Sequence, residues 1–165
     1  MRKLTTRRMT LCAIVAAAYT VITLLTAPLS FGLVQFRLSE ALVVLCALDP
    51  FLGVGITLGC FLANVFSTVT ALDMIVGTAA TALACFLTAK CKKDWLIPLP
   101  NILCNALIVG AMLAVVLFPD NMGVGFLLAF AQVGFGELVV MYALGMPLLL
   151  FAKKTNFLTK AQHAA

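Results

Sequence analysis

From residue 9 to residue 27 the chain carries no charged side chain, and the run stops only at Pro28. A transmembrane helix needs about 20 mostly apolar residues, and this run supplies them. Similar runs follow to the far end. Of the 165 residues 64% are hydrophobic and 10% charged, against roughly 25% charged in an ordinary soluble domain. Too few polar residues exist to cover a water-facing exterior. The sequence therefore predicts an all-α integral membrane protein, with residues 1–165 forming one transmembrane domain without a linker. Polarity does not alternate with a period of two, which argues against a β-barrel.

The breaks between runs give the spans. The first covers about 9–27. The second covers about 36–48 and is short unless residues 31–34 extend it. Asp49-Pro50 reads as an N-cap followed by a first-turn proline and opens a third span to about residue 69. Asp73 caps a fourth, ending at Lys90, Lys92 and Lys93. The fifth runs over about 95–118 and closes at Pro119. The sixth runs over about 124–152 and carries Pro147, a kink or early end.

Charge tests that count. Short basic segments stay on the cytoplasmic side of a membrane. Arg2, Lys3, Arg7 and Arg8 precede the first span, the three lysines follow the fourth, and Lys153, Lys154 and Lys160 follow the sixth. A six-helix bundle with N- and C-termini cytoplasmic puts all but Arg37 of the eleven basic residues on one side. The net charge of +5 thus implies topology and anionic headgroups, with no nucleic acid as partner. The N-terminus also has the look of a signal peptide, but it is read as helix one.

Several chemistries find no support. Cys12, Cys46, Cys60, Cys85, Cys91 and Cys104 lack paired C-x-x-C spacing and read as small hydrophobes in apolar spans. His163, the single histidine, lies in a polar tail. No metal site, cofactor or catalytic residue is expected, and no phosphate loop for ATP exists. Gly53, Gly55 and Gly59 lack the strand context of a dinucleotide fingerprint. Gly55 and Gly59 read as small-x-x-x-small helix packing, and Ala13 and Ala17 form a similar patch on helix one, for internal contact or for a partner helix.

What remains is a set of polar residues that lipid tolerates only for a reason: Gln35, Arg37, Glu40, Asn64, Asp73, Asn101, Asn105, Gln132 and Glu137. A charge at the helix centre costs roughly 2.5–3.5 kcal/mol on insertion scales. Counting about 1.5 Å per residue from the outer end puts Asn64 about 8 Å deep, Gln132 about 12 Å, and Asn105 and Glu137 about 20 Å. Arg37 and Glu40, at i,i+3, suit an ion pair on one face. Asp73 suits a helix cap, and Asn101 sits near the cytoplasm and reads as structural. Glu137 is the sharpest signal, since ionisable groups inside membranes default to function. The expectation is a cavity open to the outside, lined by carboxylates and amides, for a small polar or cationic compound. A carboxylate accepts two parallel N–H bonds, the edge a guanine-like ring presents. Phe31, Phe36, Phe61, Phe66 and Tyr142 are candidate stacking surfaces.

The strings VQFRLSEAL, Asp49-Pro50, GITLGCFLANVFS and LDMIVGTAAT resemble the QueT family of queuosine precursor transporters. The resemblance covers most of the chain and is densest between Gly32 and Thr81. It implies a six-helix, multi-pass S component of an energy-coupling factor (ECF) transporter in the cell membrane. Such a protein captures a 7-deazaguanine such as preQ1 and works with a transmembrane T subunit and two ATPase subunits. It further implies substrate binding by Gln35, Arg37, Glu40, Asn64, Asp73, Asn105, Gln132 and Glu137. The Ala13/Ala17 patch resembles the A-x-x-x-A docking motif of S components. A stand-alone secondary transporter using Glu137 as proton relay is the alternative. A small membrane enzyme has no nucleophile–base pair to support it.

Overall fold

The structure is a computed structural model describing residues 5–30, 35–67 and 72–155. Phe31, Arg2, Lys3, Lys160 and His163 therefore lie outside the described residues. Every regular element among those described is helical. The helices group into six rods: α1 (Thr6–Leu25), α2 (Leu38–Ala47), α3 (Leu52–Asn64), α4 (Leu72–Thr88), α5 (Asp94–Leu117) and α6 (Met122–Thr155). A single turn, Ala27–Ser30, follows α1. By length and composition α1, α5 and α6 can each cross a membrane, while α2, α3 and α4 are shorter apolar helices.

The short second span has a physical remedy. Residues 38–47 are wound as a 3-10 helix, which rises about 2.0 Å per residue instead of 1.5 Å. Its 10 residues thus reach about 20 Å, matching what the 13 residues of α3 cover at about 1.5 Å each. α2 occupies the middle of the bundle, touching α1, α3, α4 and α6. Ser39, Glu40, Val43, Val44 and Cys46 have no exposed surface.

α1 lies directly on α3. A Cβ at Gly55 would collide with the Cys12 carbonyl oxygen, and one at Gly59 would stand 2.6 Å from that of Ala16. Gly55 and Gly59 are thus the small-residue packing face that their spacing predicts. Ala13 and Ala17 of α1 are exposed, and Ala13 lies at the edge of a groove that α1 shares with α3.

Both long helices contain a widened π turn, at Asn105–Val109 in α5 and Met141–Gly145 in α6. The second precedes Pro147, whose ring would clash with the carbonyl four residues back in a regular helix. The wider turn lets α6 continue past the proline.

One end of the bundle is tied by charge. Arg8 of α1 pairs with Asp49 in the turn before α3, and the Asp49 carboxylate accepts the Phe51 N–H at 3.1 Å. Asp49 thus orders the turn that leads into α3, while the N-cap position expected for it falls on Phe51 and Pro50 precedes the helix. Pro50 of that turn and Ala89 at the end of α4 line one apolar groove of about 380 Å³. Lys153 near the end of α6 bonds to Asp94 at the start of α5, at 2.5 Å. The surface of the rods is apolar elsewhere, with Leu25, Ile75, Leu127 and Phe151 among the exposed large side chains. A lipid-embedded bundle requires such a surface.

Candidate functional site

Most of the buried polar groups lie away from that end, in the middle and the other end of the bundle. Three residues per 3-10 turn stack Arg37 beneath Glu40 on one edge of α2, yet their side chains take different partners. Arg37 Nη2 donates to Asp73 Oδ2 at 2.9 Å, with the two side chains 2% and 0% exposed. Ser67 Oγ donates to the same oxygen at 2.9 Å, and Asn64 Nδ2 donates to the Asp73 carbonyl at 3.1 Å. Gly77 makes room for this knot: a Cβ there would stand 2.6 Å from Asp73 Oδ1 and 3.0 Å from Asn64 Nδ2.

Glu40 is held from the side. Tyr19 of α1 donates its hydroxyl to Glu40 Oε1 at 2.5 Å, and Thr81 of α4 donates to the same atom at 3.1 Å. Thr81 in turn meets Cys60 Sγ at 3.3 Å, and Asn64 Nδ2 reaches that sulfur at 3.4 Å. With the Thr81 hydroxyl proton committed to Glu40, the relay is directional, running from Asn64 through Cys60 and Thr81 to the carboxylate. Glu40 Oε2 has no hydrogen-bond partner among the described residues.

Glu137 forms a second knot between α5 and α6. Asn101 Nδ2 donates to Oε2 at 2.9 Å, and Asn105 Nδ2 donates to Oε1 at 3.1 Å. The π turn beginning at Asn105 shifts the register of α5 just where that amide must reach α6, and such turns recur at functional sites. Among the described residues, Asn101 Oδ1 and Asn105 Oδ1 have no partner. Glu40 and Glu137 are 0% and 2% exposed, on α2 and α6, which touch each other. Five helices, α2 to α6, therefore bring two acids, an arginine–aspartate pair and several amides together.

A family model described as QueT transporter matches residues 9–154. The chain belongs to the QueT transporter family. No curated protein and no solved structure matches it.

In this QueT family member, Arg37, Glu40, Asn64 and Asp73 form one hydrogen-bonded assembly, with Asn105 and Glu137 in the adjoining knot. Gln35 is buried beside them, with the single non-glycine positive φ among the described residues, 46°. Gln132 is only half-buried and stands outside both knots. Three expectations need correction. Arg37 pairs with Asp73 and not with Glu40, because α4 brings a carboxylate to the guanidinium while Tyr19 and Thr81 hold Glu40. Asn101 is a partner of Glu137, since its i,i+4 relation to Asn105 puts both amides on one face. Phe61, Phe66 and Tyr142 are 40%, 63% and 36% exposed, so they face outward, while Phe36 packs edge-on against Phe135.

Tyr19, Ser67, Gly77 and Thr81 escaped sequence reading. Hydroxyls satisfy themselves inside a helix by bonding backbone carbonyls, as Thr20 does with Ala16 at 3.0 Å, so a threonine or tyrosine in an apolar run carries little signal. The carboxylates at 40 and 137 are buried and closed to the outside here, where an open cavity was expected.

Proposed function

We propose that this protein is the substrate-binding S component of an ECF-type importer, capturing a queuosine precursor, a 7-deazaguanine such as preQ1, from outside the cell. The observation that carries the reading is the pair of buried carboxylates, Glu40 and Glu137. They come from two helices and form no ion pair among the described residues. Buried charges without counter-ions are costly, and a cationic, N–H-rich ligand offsets that cost. The buried atoms without partners in this cluster include Glu40 Oε2, Asp73 Oδ1, Asn101 Oδ1 and Asn105 Oδ1. These four are all acceptors. An aminomethyl deazaguanine offers ring N–H donors and an ammonium group to meet them.

The bundle forms one substrate-binding domain that crosses the cell membrane six times, with both termini in the cytoplasm. The Arg8–Asp49 and Lys153–Asp94 pairs lie at the basic end, which this reading puts in the cytoplasm, and ligand reaches the buried acids from the other side. Energy comes from a T subunit and two ATPase subunits, for which the exposed Ala13/Ala17 face of α1 is the docking surface.

Binding by purified protein in detergent, without ATP or an ion gradient, tests the reading. A ligand at 100 times its Kd stabilises the folded state by about 2.7 kcal/mol, so the aminomethyl base should raise the melting temperature measurably. A panel of deazaguanines and guanine that leaves the melting temperature unmoved would contradict it.

A further inference from the structure

The Glu137 knot has a polarity that assigns separate tasks to the acid and its amides. Both carboxylate oxygens are already occupied, Oε2 by Asn101 Nδ2 at 2.9 Å and Oε1 by Asn105 Nδ2 at 3.1 Å. Both amides turn their NH2 toward Glu137, the arrangement that an ionised carboxylate, which only accepts, imposes, and so hold their carbonyl oxygens away from it. The two oxygens so presented, Asn101 Oδ1 and Asn105 Oδ1, are buried and without partners among the described residues. Glu40 differs. Its Oε1 takes two hydroxyl donors and its Oε2 takes none, leaving a single charged lobe.

We infer that Asn101 and Asn105 form the subsite that reads the ring edge of the ligand, and that Glu137 positions them without touching it. This rests on the deazaguanine reading above. Two neutral acceptors fixed by one carboxylate match the adjacent donors of a guanine-type edge, the ring N–H and the 2-amino group. The lone lobe of Glu40 takes the ammonium group. Sequence reading assigned ring recognition to a carboxylate and left Asn101 as structural; the hydrogen-bond polarity reverses both roles.

Glu137→Gln exposes the difference. The substituted side chain keeps one acceptor and gains an NH2, so one asparagine must turn its carbonyl toward that new donor and present its own NH2 to the ligand. The acceptor pair becomes one acceptor and one donor. Affinities are measured for 7-aminomethyl-7-deazaguanine, its 2-deamino analogue and the 7-cyano form, against wild type, Glu137→Gln, Asn101→Ala, Asn105→Ala and Glu40→Gln, with melting temperatures as a check on folding. Wild type should prefer the parent over the 2-deamino analogue by at least about tenfold, the cost of one unpaired buried group. Glu137→Gln and at least one asparagine variant should shrink that preference. Glu40→Gln should keep it while losing the preference for aminomethyl over cyano. Equal weakening of parent and 2-deamino analogue by Glu137→Gln overturns the subsite, because Glu137 would then act without the amides' polarity. Normal 2-amino preference in both asparagine variants overturns it as well. A wild-type chain that binds none of the three bases sinks the deazaguanine reading and the subsite together.

Discussion

Arg37 Nη2 donates to Asp73 Oδ2 at 2.9 Å across α2 and α4, both side chains being almost wholly buried. The arginine that rests one turn from Glu40 is thereby spent on a different acid. Removing one member of a buried pair costs roughly 3–5 kcal/mol, because the other charge stays behind. Asp73→Ala should therefore unfold at a clearly lower temperature in detergent. The double variant Asp73→Leu with Arg37→Leu should recover most of the loss. A single variant that melts like wild type would show that the pair does not hold α2 to α4.

The contact of α1 with α3 predicts a contrast between glycines. Gly59→Ala drives a methyl toward the Ala16 carbonyl oxygen, 2.6 Å away, and overpacking of this kind costs about 1–3 kcal/mol. Gly123, in α6, has nothing within 4 Å of its would-be Cβ. There alanine should be neutral or stabilise by up to about 1 kcal/mol through helix propensity. Thermal unfolding of the two variants side by side decides it, and equal melting temperatures would refute the close approach.

Docking has its own signature. Ala13 is exposed on α1, beside an apolar groove of about 220 Å³ that it lines with Cys12, Ala16, Gly55 and Leu58. Close helix approach tolerates only small side chains. Ala13→Trp should leave ligand affinity intact and abolish uptake by the assembled transporter. Normal uptake, or loss of ligand binding, would argue against a partner helix on this face.

Asp94 supplies the control. Its pair with Lys153 is 43% and 38% exposed, and surface pairs of this kind contribute from nothing up to about 1 kcal/mol. Asp94→Asn should change neither ligand affinity nor, by more than about 0.5 kcal/mol, stability. A large effect on binding would mean that the acids at the site end are not special.

How legible was this molecule in its sequence? Apolar run length marked the helices, because a lipid span leaves few other ways to satisfy the backbone. It also marked the second span as short, and α2 has only 10 residues; what it could not show was the 3-10 winding that lengthens the helix, in a segment packed on every side. Polar residues in apolar runs pointed to Arg37, Glu40, Asn64, Asp73, Asn105 and Glu137. Their partners could not be read there, because which helix brings a donor to Glu40 depends on tertiary packing. Tyr19 and Thr81 lie 21 and 41 residues away. Gln132 is half-buried and outside both knots, for a related reason: residues on one face of a helix are visible in sequence, but how far that face turns inward is not.

Glu40 is proposed to meet the ligand with an oxygen that only accepts. Its Oε1 receives hydroxyls from Tyr19 and Thr81, so in Glu40→Gln the amide oxygen takes that place and the NH2 falls where Oε2 stood. A donor then faces the donors of the ligand, and a buried donor left unpaired costs roughly 1–3 kcal/mol. The deciding measurement is the Kd of purified wild type and Glu40→Gln for 7-aminomethyl-7-deazaguanine at equal melting temperature. The account predicts at least about tenfold weaker binding, since about 1.4 kcal/mol is a factor of ten. Wild-type affinity in Glu40→Gln would contradict it and leave the acid a structural part of the bundle.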